Sequence, residues 1–227
     1  MTRPRAPILL AWSSGKDSAW ALHVLRQDPE VEVVGLLTTV NEAFDRVAMH
    51  AVRRTLLEAQ AEAAGLPLTL VRIPWPCPNE AYEAAMGDAV THARANGITG
   101  VAFGDLFLED IRRYRERQMA GTGLALHFPL WQRPTAALAE EMIGAGLQAR
   151  LTCVDPRLLP ADFAGQAFDR DFLARLPAGV DPCGENGEFH TFAWDGPMFR
   201  RPLRVTEGEI VHRDGFVFAD LLPRAAA

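Results

Sequence analysis

LLAWSSGKDSAWALHVL, residues 9–25, runs without a break from an apolar stretch through a tight loop of small and charged residues into an amphipathic helical pattern. A strand that turns directly into a helix points the first main-chain N–H groups of the helix, which have no intrahelical partner, along the positive end of its dipole. That is the geometry of an anion site, and a phosphate fits it. Gly15 lets the backbone come close to an oxygen, Lys16 adds a mobile charge, and the hydroxyls of Ser13, Ser14 and Ser18 can donate. Asp17 is out of place beside a bare phosphate, so it either caps the helix or helps hold Mg²⁺. Only one glycine precedes the lysine, so the loop is not the GxxxxGK[ST] pattern of kinases and GTPases. An N-capped helix without any ligand also favours Ser and Asp, but it gives no reason for a lone lysine in the turn.

The lysine matters because of what surrounds it in composition. Of 23 basic residues, Lys16 is the single lysine and the other 22 are arginine. Such a bias follows from a GC-rich genome that exchanges lysine wherever arginine serves, so the survivor marks a place for a compact ammonium rather than a planar guanidinium.

The rest of the composition bounds the class. With 48% hydrophobic and 23% charged residues over 227 positions, the chain has the make-up of a globular protein of one α/β domain and a smaller appendage. No apolar run reaches a membrane span, and Ile8 to Trp12 is too short for a signal-peptide core, so no membrane association and a cytoplasmic location are expected. Cys77, Cys153 and Cys183 are far apart and form no CxxC, which argues against both a disulfide framework and a zinc site. A net charge of −6 argues against general nucleic-acid binding.

Working outward from the loop, apolar runs at Ile8–Trp12, Val31–Thr38, Leu68–Ile73, Gly100–Phe103, Leu124–Leu130 and Ala149–Val154 alternate with helical patterns. The helices are read from Ser18, over Val47–Ala64, Asn79–Asn96, Glu109–Ala120 and Thr135–Gly144, with Gly65 and Pro67 stopping the second. This rhythm predicts a parallel sheet of five or six strands with helices on both faces. After Pro156 the texture changes. A short helix near Phe168–Arg175 and strands at Glu188–Trp194, Leu203–Val211 and Phe216–Leu221, the last two joined by an Asp214-Gly215 hairpin turn, predict a smaller α+β unit. The expected division is residues 1–155 for the nucleotide-binding domain and 156–227 for a substrate-binding domain.

SSGKDS is similar to the SGGKDS loop of PP-loop ATP pyrophosphatases, with Ser14 in place of the second-position glycine. A serine is tolerated there if its φ stays negative. RVAMHAVR, GDLFLEDIRRYRERQ, FPLW and DPCGENGEFHTFAWDGPMF resemble the diphthine-ammonia ligase branch of that superfamily, and together these stretches span nearly the whole chain. The resemblance implies an adenine nucleotide alpha hydrolase-like (HUP) fold. It implies an ATP-dependent carboxylate-ammonia ligase that forms an acyl adenylate and releases AMP and pyrophosphate. The implied cofactors are ATP and Mg²⁺, and ammonia is the nucleophile. In the family the acceptor is diphthine on an elongation factor of archaea and eukaryotes. The arginine bias points to a bacterium, so a small-molecule carboxylate is expected alongside a protein-borne one, and a homodimer stays open.

Adenylation needs the triphosphate neutralised and a carboxylate held in line with the α-phosphorus. Lys16 and the loop Ser13, Ser14, Gly15, Asp17 and Ser18 supply the first. Gly104 and Asp105 follow a predicted strand at the carboxyl edge, where α/β proteins bind ligands. Asp105 is thus a second metal or pyrophosphate-side group, with capping of the helix near Glu109 as the alternative. The resemblance places His50 near ATP and turns some of Arg112, Arg113, Arg115 and Arg117 toward ligand. Glu185, Glu188 and His190 fall within six positions among two glycines and are expected to bind ammonium and take its proton. Cys183 reads as a small buried thiol. Two other functions compete. A non-catalytic ATP-binding regulatory module has little use for the second acidic cluster, and a sulfur-inserting tRNA-modifying enzyme wants paired cysteines and a basic face.

Overall fold

A computed structural model describes residues 4–47 and 51–224. Five strands form a parallel sheet: β1 (Ala6–Ala11), β2 (Val31–Asn41), β4 (Leu68–Ile73), β5 (Gly100–Ala102) and β6 (Ala125–His127), in the order β4-β2-β1-β5-β6. A two-residue strand, β3 (Arg46–Val47), adds an antiparallel corner to the far end of β2. The chain leaves β1 toward β2 on one side, while β5 lies on the other. The crevice at the carboxyl ends of β1 and β5 is therefore the switch point where open α/β sheets hold ligands.

Alternation along β1 assigns the helices to faces. Ile8 and Leu10 join the core beneath α1 (Lys16–Leu25) and α2 (Arg54–Ala64). Leu9 points the other way, with Leu37 and Val71, against Ala93 of α3 (Asn79–Ala95). Val101 and Phe103 meet Val90 of α3 and Met119 of α4 (Glu109–Met119) on that same face. The parallel sheet is thus covered on both faces, as its apolar strands require. Each fully buried Leu or Ile there contributes about 1.5–3 kcal/mol relative to exposure.

The second sheet is antiparallel, in the order β8-β7-β10-β9, built from β7 (Gln148–Val154), β8 (Phe189–Asp195), β9 (Val205–Arg213) and β10 (Phe216–Pro223). It packs with α5 (Thr135–Gly144) and α6 (Arg170–Ala174) on the α1 face, so that Leu151, Phe172, Phe189 and Phe192 share one core with Leu10 and Trp20.

Local signals explain the element ends. Gly65 closes α2 in the left-handed region at φ 69, with Leu66 N–H donating back to Ala61 O at 3.0 Å before Pro67. Asp214 and Gly215 both have positive φ, 53 and 81, which is the turn that a tight hairpin needs.

Two elements differ from the sequence expectation. Val47 is not the start of a helix: it pairs with Val40 as β3, and α2 begins at Arg54. The apolar spacing from Val47 to Ala61 is real but serves two elements. The run Ala149–Val154 forms a strand but does not extend the parallel sheet. It pairs antiparallel with β8 and β10, because periodicity reports burial and not the neighbour.

Candidate active site

The turn between β1 and α1 lies at one end of a cavity of about 520 Å³, within the roughly 300–1,000 Å³ usual for ligand pockets. Ser13, Lys16, Asp17 and Ser18 form that end. Gly104 stands against that end with Asp105 next to it, and Gly184, Glu185 and His190 close the cavity from the second unit. Thr38, Thr39, Tyr82 and Met86 extend the wall along β2 and α3.

The turn itself is strained. Gly15 is extended, with φ −82, whereas Ser14 sits at φ 71. The expectation of a negative φ at Ser14 is therefore overturned. Left-handed backbone suits glycine and costs an L-residue roughly 1–2 kcal/mol. The Ser14 side chain does not compensate. Its Oγ is fully buried with no hydrogen-bond partner among the described residues and is not part of the cavity wall, unlike Ser13 and Ser18. Ser14→Gly should accordingly raise stability by about 1 kcal/mol, seen as a melting midpoint higher by about 2–4 °C. A midpoint that falls contradicts this account of the turn.

Lys16 is not a mobile surface charge. It is 2% exposed, and its Nζ donates to both carboxylate oxygens of Asp17, at 2.9 and 2.8 Å, and to the Cys183 carbonyl. The rings of Phe168 and Phe189 lie 5.5 and 5.4 Å from it. Burial pushes the ammonium down, but Asp17 and the polar groups of the loop outweigh it and leave the pKa above the ordinary lysine value. The charge is held in a slot lined by oxygen and aromatic faces, and a forked guanidinium does not fit that slot. Asp17 thus spends its carboxylate on Lys16 rather than on a helix cap. The Lys16 main-chain N–H donates to Thr191 Oγ1 of β8 at 3.0 Å. The N–H groups of Asp17 and Ser18, also in the first turn, face no intrahelical carbonyl.

Gly104 allows β5 to approach this turn: a Cβ on it meets Asp17 and Ser18 main-chain atoms at 3.1 Å. Asp105 does not cap α4. It takes a two-pronged pair from Arg115, whose Nη2 donates at 3.0 Å while the guanidinium stacks on Phe103. Of the four arginines on that helix, Arg115 alone lines the cavity. Arg112 pairs with Glu116 and stacks on Phe128 and Trp131 of the FPLW stretch, and Arg113 is exposed and pairs with Glu109.

The loop from Asp181 to Phe189 is folded by its own carboxylates. Glu188 accepts from the N–H groups of Asp181 and Asn186 and from the Asn186 amide, all at 3.0 Å. It is 3% exposed and stands away from the cavity wall. Asp181 accepts from the N–H groups of Cys183 and Glu185. Gly184, at φ 71, turns so tightly that a Cβ sits 2.8 Å from the Phe189 carbonyl. This frame projects Glu185 across to the first unit, where its carboxylate accepts from Leu106 N–H at 2.8 Å and Phe107 N–H at 3.3 Å. Burial, with a smaller push from Asp17 and Asp105, raises Glu185 to about 7 against those two bonds. His190 is pushed down to about 4 by burial and then by Lys16, so it is neutral at pH 7. The Cys183 thiol, raised by burial to about 12, is no nucleophile.

His50 lies outside the described residues. Among those described, no set of three or more His, Cys, Asp or Glu is arranged as a metal cage. Asp17 and Asp105 both face the cavity, each already paired with a cation. They fit a divalent ion that arrives on phosphate oxygens and needs one or two protein carboxylates, which is how Mg²⁺ is usually held.

Sequence reasoning missed Gln60 and Tyr82, which carry no motif and reach the site only through tertiary packing, while Thr191 lies inside the DPCGENGEFHTFAWDGPMF stretch without an expected role. No helix among the described residues is long and apolar enough to cross a membrane.

Residues 7–125 match the family described as diphthamide synthase N-terminal domain, and residues 134–221 its C-terminal domain. The chain is 30% identical over 224 residues to a diphthine–ammonia ligase of Danio rerio, spanning 89% of this chain and 88% of that one. It is 28% identical over 229 residues to those of Bos taurus and Homo sapiens, spanning 91% of this chain and 85% of each. A phosphate-type turn and an acidic loop facing one cavity, on a sheet of this order, are joined by similarity along both units: the chain belongs to the diphthamide synthase family.

Proposed function

We propose that this protein adenylates a carboxylate with ATP and passes the acyl group to ammonia, with a small-molecule carboxylate as acceptor, in the cytoplasm. Membership of the family makes it an ATP-dependent ligase, and a nucleotide sensor without turnover is not favoured. The observation that carries the finer reading is Glu185: a carboxyl raised to about 7 is delivered by the second unit into the same cavity as the turn of residues 13–18.

The chemistry balances without a redox partner. The acceptor carboxylate attacks the α-phosphorus, forming an acyl adenylate and expelling pyrophosphate. Ammonia then attacks the acyl carbon and displaces AMP. Ser13, Ser18 and the Asp17 and Ser18 amides hold the β and γ phosphates, and Lys16 supplies fixed positive charge at that end of the cavity. Asp17 and Asp105 would hold a Mg²⁺ brought in on ATP, which would supply further neutralisation of the phosphate charge. Three cavity carboxylates, Asp17, Asp105 and Glu185, face two cations, Lys16 and Arg115. An incoming ammonium meets these carboxylates, and ionised Glu185 takes its proton. Neutral His190 stands by as a hydrogen-bonding group. Glu188 acts through the loop, holding Glu185 in place.

Purified protein incubated with Mg-ATP, ammonium and pools of candidate carboxylates should release AMP and pyrophosphate in step with amide. Release of ADP and phosphate instead rejects the reading.

A further inference from the structure

The strained turn has to be held by something other than its own side chain, and the anchors lie in α2 and β8. Gln60 of α2 is fully buried, and the other buried residues of that helix are Leu56, Leu57, Ala61, Ala63 and Ala64. Its amide is completely used. Nε2 donates to the Ser14 carbonyl at 3.0 Å and to the Ala193 carbonyl at 2.6 Å, and Oε1 accepts from Trp12 Nε1 at 3.0 Å. Ala193 N–H donates to the same Ser14 carbonyl at 3.0 Å. Two donors thus converge on the carbonyl oxygen of the left-handed residue, Ser14.

We propose that Gln60 is a positioning residue of the phosphate site: by holding the Ser14 carbonyl it keeps the turn in the left-handed form that serine disfavours. A buried glutamine costs desolvation unless each polar atom is paired, and here all three bonds lock the end of β1, the turn and β8 together. If the Gln60 donors are removed, one of the two ties on Ser14 is lost and the turn relaxes toward negative φ. ATP must then restore it on binding, and affinity falls. The inference rests on the reading that this turn binds ATP, and the test separates the two.

Calorimetric titration of the wild-type protein with Mg-ATP comes first. No uptake overturns the nucleotide reading, and this inference with it. Given uptake, Gln60→Met, which keeps the length and removes both donors together with the acceptor for Trp12, should raise the Kd for ATP about tenfold, equivalent to about 1.4 kcal/mol. The decisive readout is repair. Glycine adopts positive φ without anchors, so adding Ser14→Gly to Gln60→Met should return the Kd to within about threefold of wild type. A part played only in core packing gives no such rescue. Gln60→Glu, which keeps the acceptor for Trp12 and loses the donors, replaces Gln60→Met if that variant does not purify, and both can be made in the Ser14→Gly background. An unchanged Kd in the Gln60 variants, or a loss that Ser14→Gly leaves in place, overturns the inference.

Discussion

Lys16→Arg is expected to lose ATP-dependent turnover by about 100-fold or more although it keeps the charge. The ammonium is enclosed by the Asp17 carboxylate, the Cys183 carbonyl and the faces of Phe168 and Phe189, at 2% exposure. Arginine is longer and planar, and overfilling a packed site costs about 1–3 kcal/mol before any hydrogen bond is lost. The extra volume has two ways to go. It pushes the Asp181–Phe189 loop outward, carrying Glu185 off Leu106 and Phe107, or it pushes α1 and the turn away from Thr191. Either motion opens the cavity. Steady-state kinetics against ATP, with Lys16→Met as the charge-free control of similar length, measures the effect. Wild-type turnover in Lys16→Arg removes the geometric account of the lone lysine.

The second large effect is at Glu185. Glu185→Gln should lower amide formation by about 10²–10⁴-fold, the usual worth of a general base, while changing ATP affinity little. In the wild-type protein the rate should climb as pH rises toward about 7 and level off above it, because the ionised carboxylate is the base and burial has raised it to about 7. Stability moves the opposite way. The folded-state value lies above the ordinary 4.5, so folding takes up a proton between about 4.5 and 7. This group's contribution is greatest below that window and is lost as pH rises through it. A rate profile flat from pH 5.5 to 8, or a Glu185→Gln variant with full synthesis, takes the base role away from this residue.

Much of this was legible in the residues. The strand, turn and helix of residues 9–25, the stop at Gly65 and Pro67, and the Asp214-Gly215 hairpin are local events, governed by signals within a few positions. The single lysine of the composition stands in a buried slot at the cavity. What could not be read was non-local. The Lys16 ammonium meets a carbonyl 167 residues away, and Gln60 reaches a strand 133 residues on. The left-handed Ser14 is imposed by those anchors against the preference of its own side chain. The spacing of Val47 matches a helix, whereas pairing with Val40 decides the outcome. Glu185 and Glu188 look alike in sequence, and only the hydrogen bonds separate them: one spans the cavity, the other ties its own loop.

The most direct test is a crystal structure of the protein with a non-hydrolysable ATP analogue. The account predicts β and γ phosphate oxygens within hydrogen-bond distance of the Asp17 and Ser18 amides and the Ser13 or Ser18 hydroxyl. A triphosphate lying elsewhere, with that turn untouched, contradicts it.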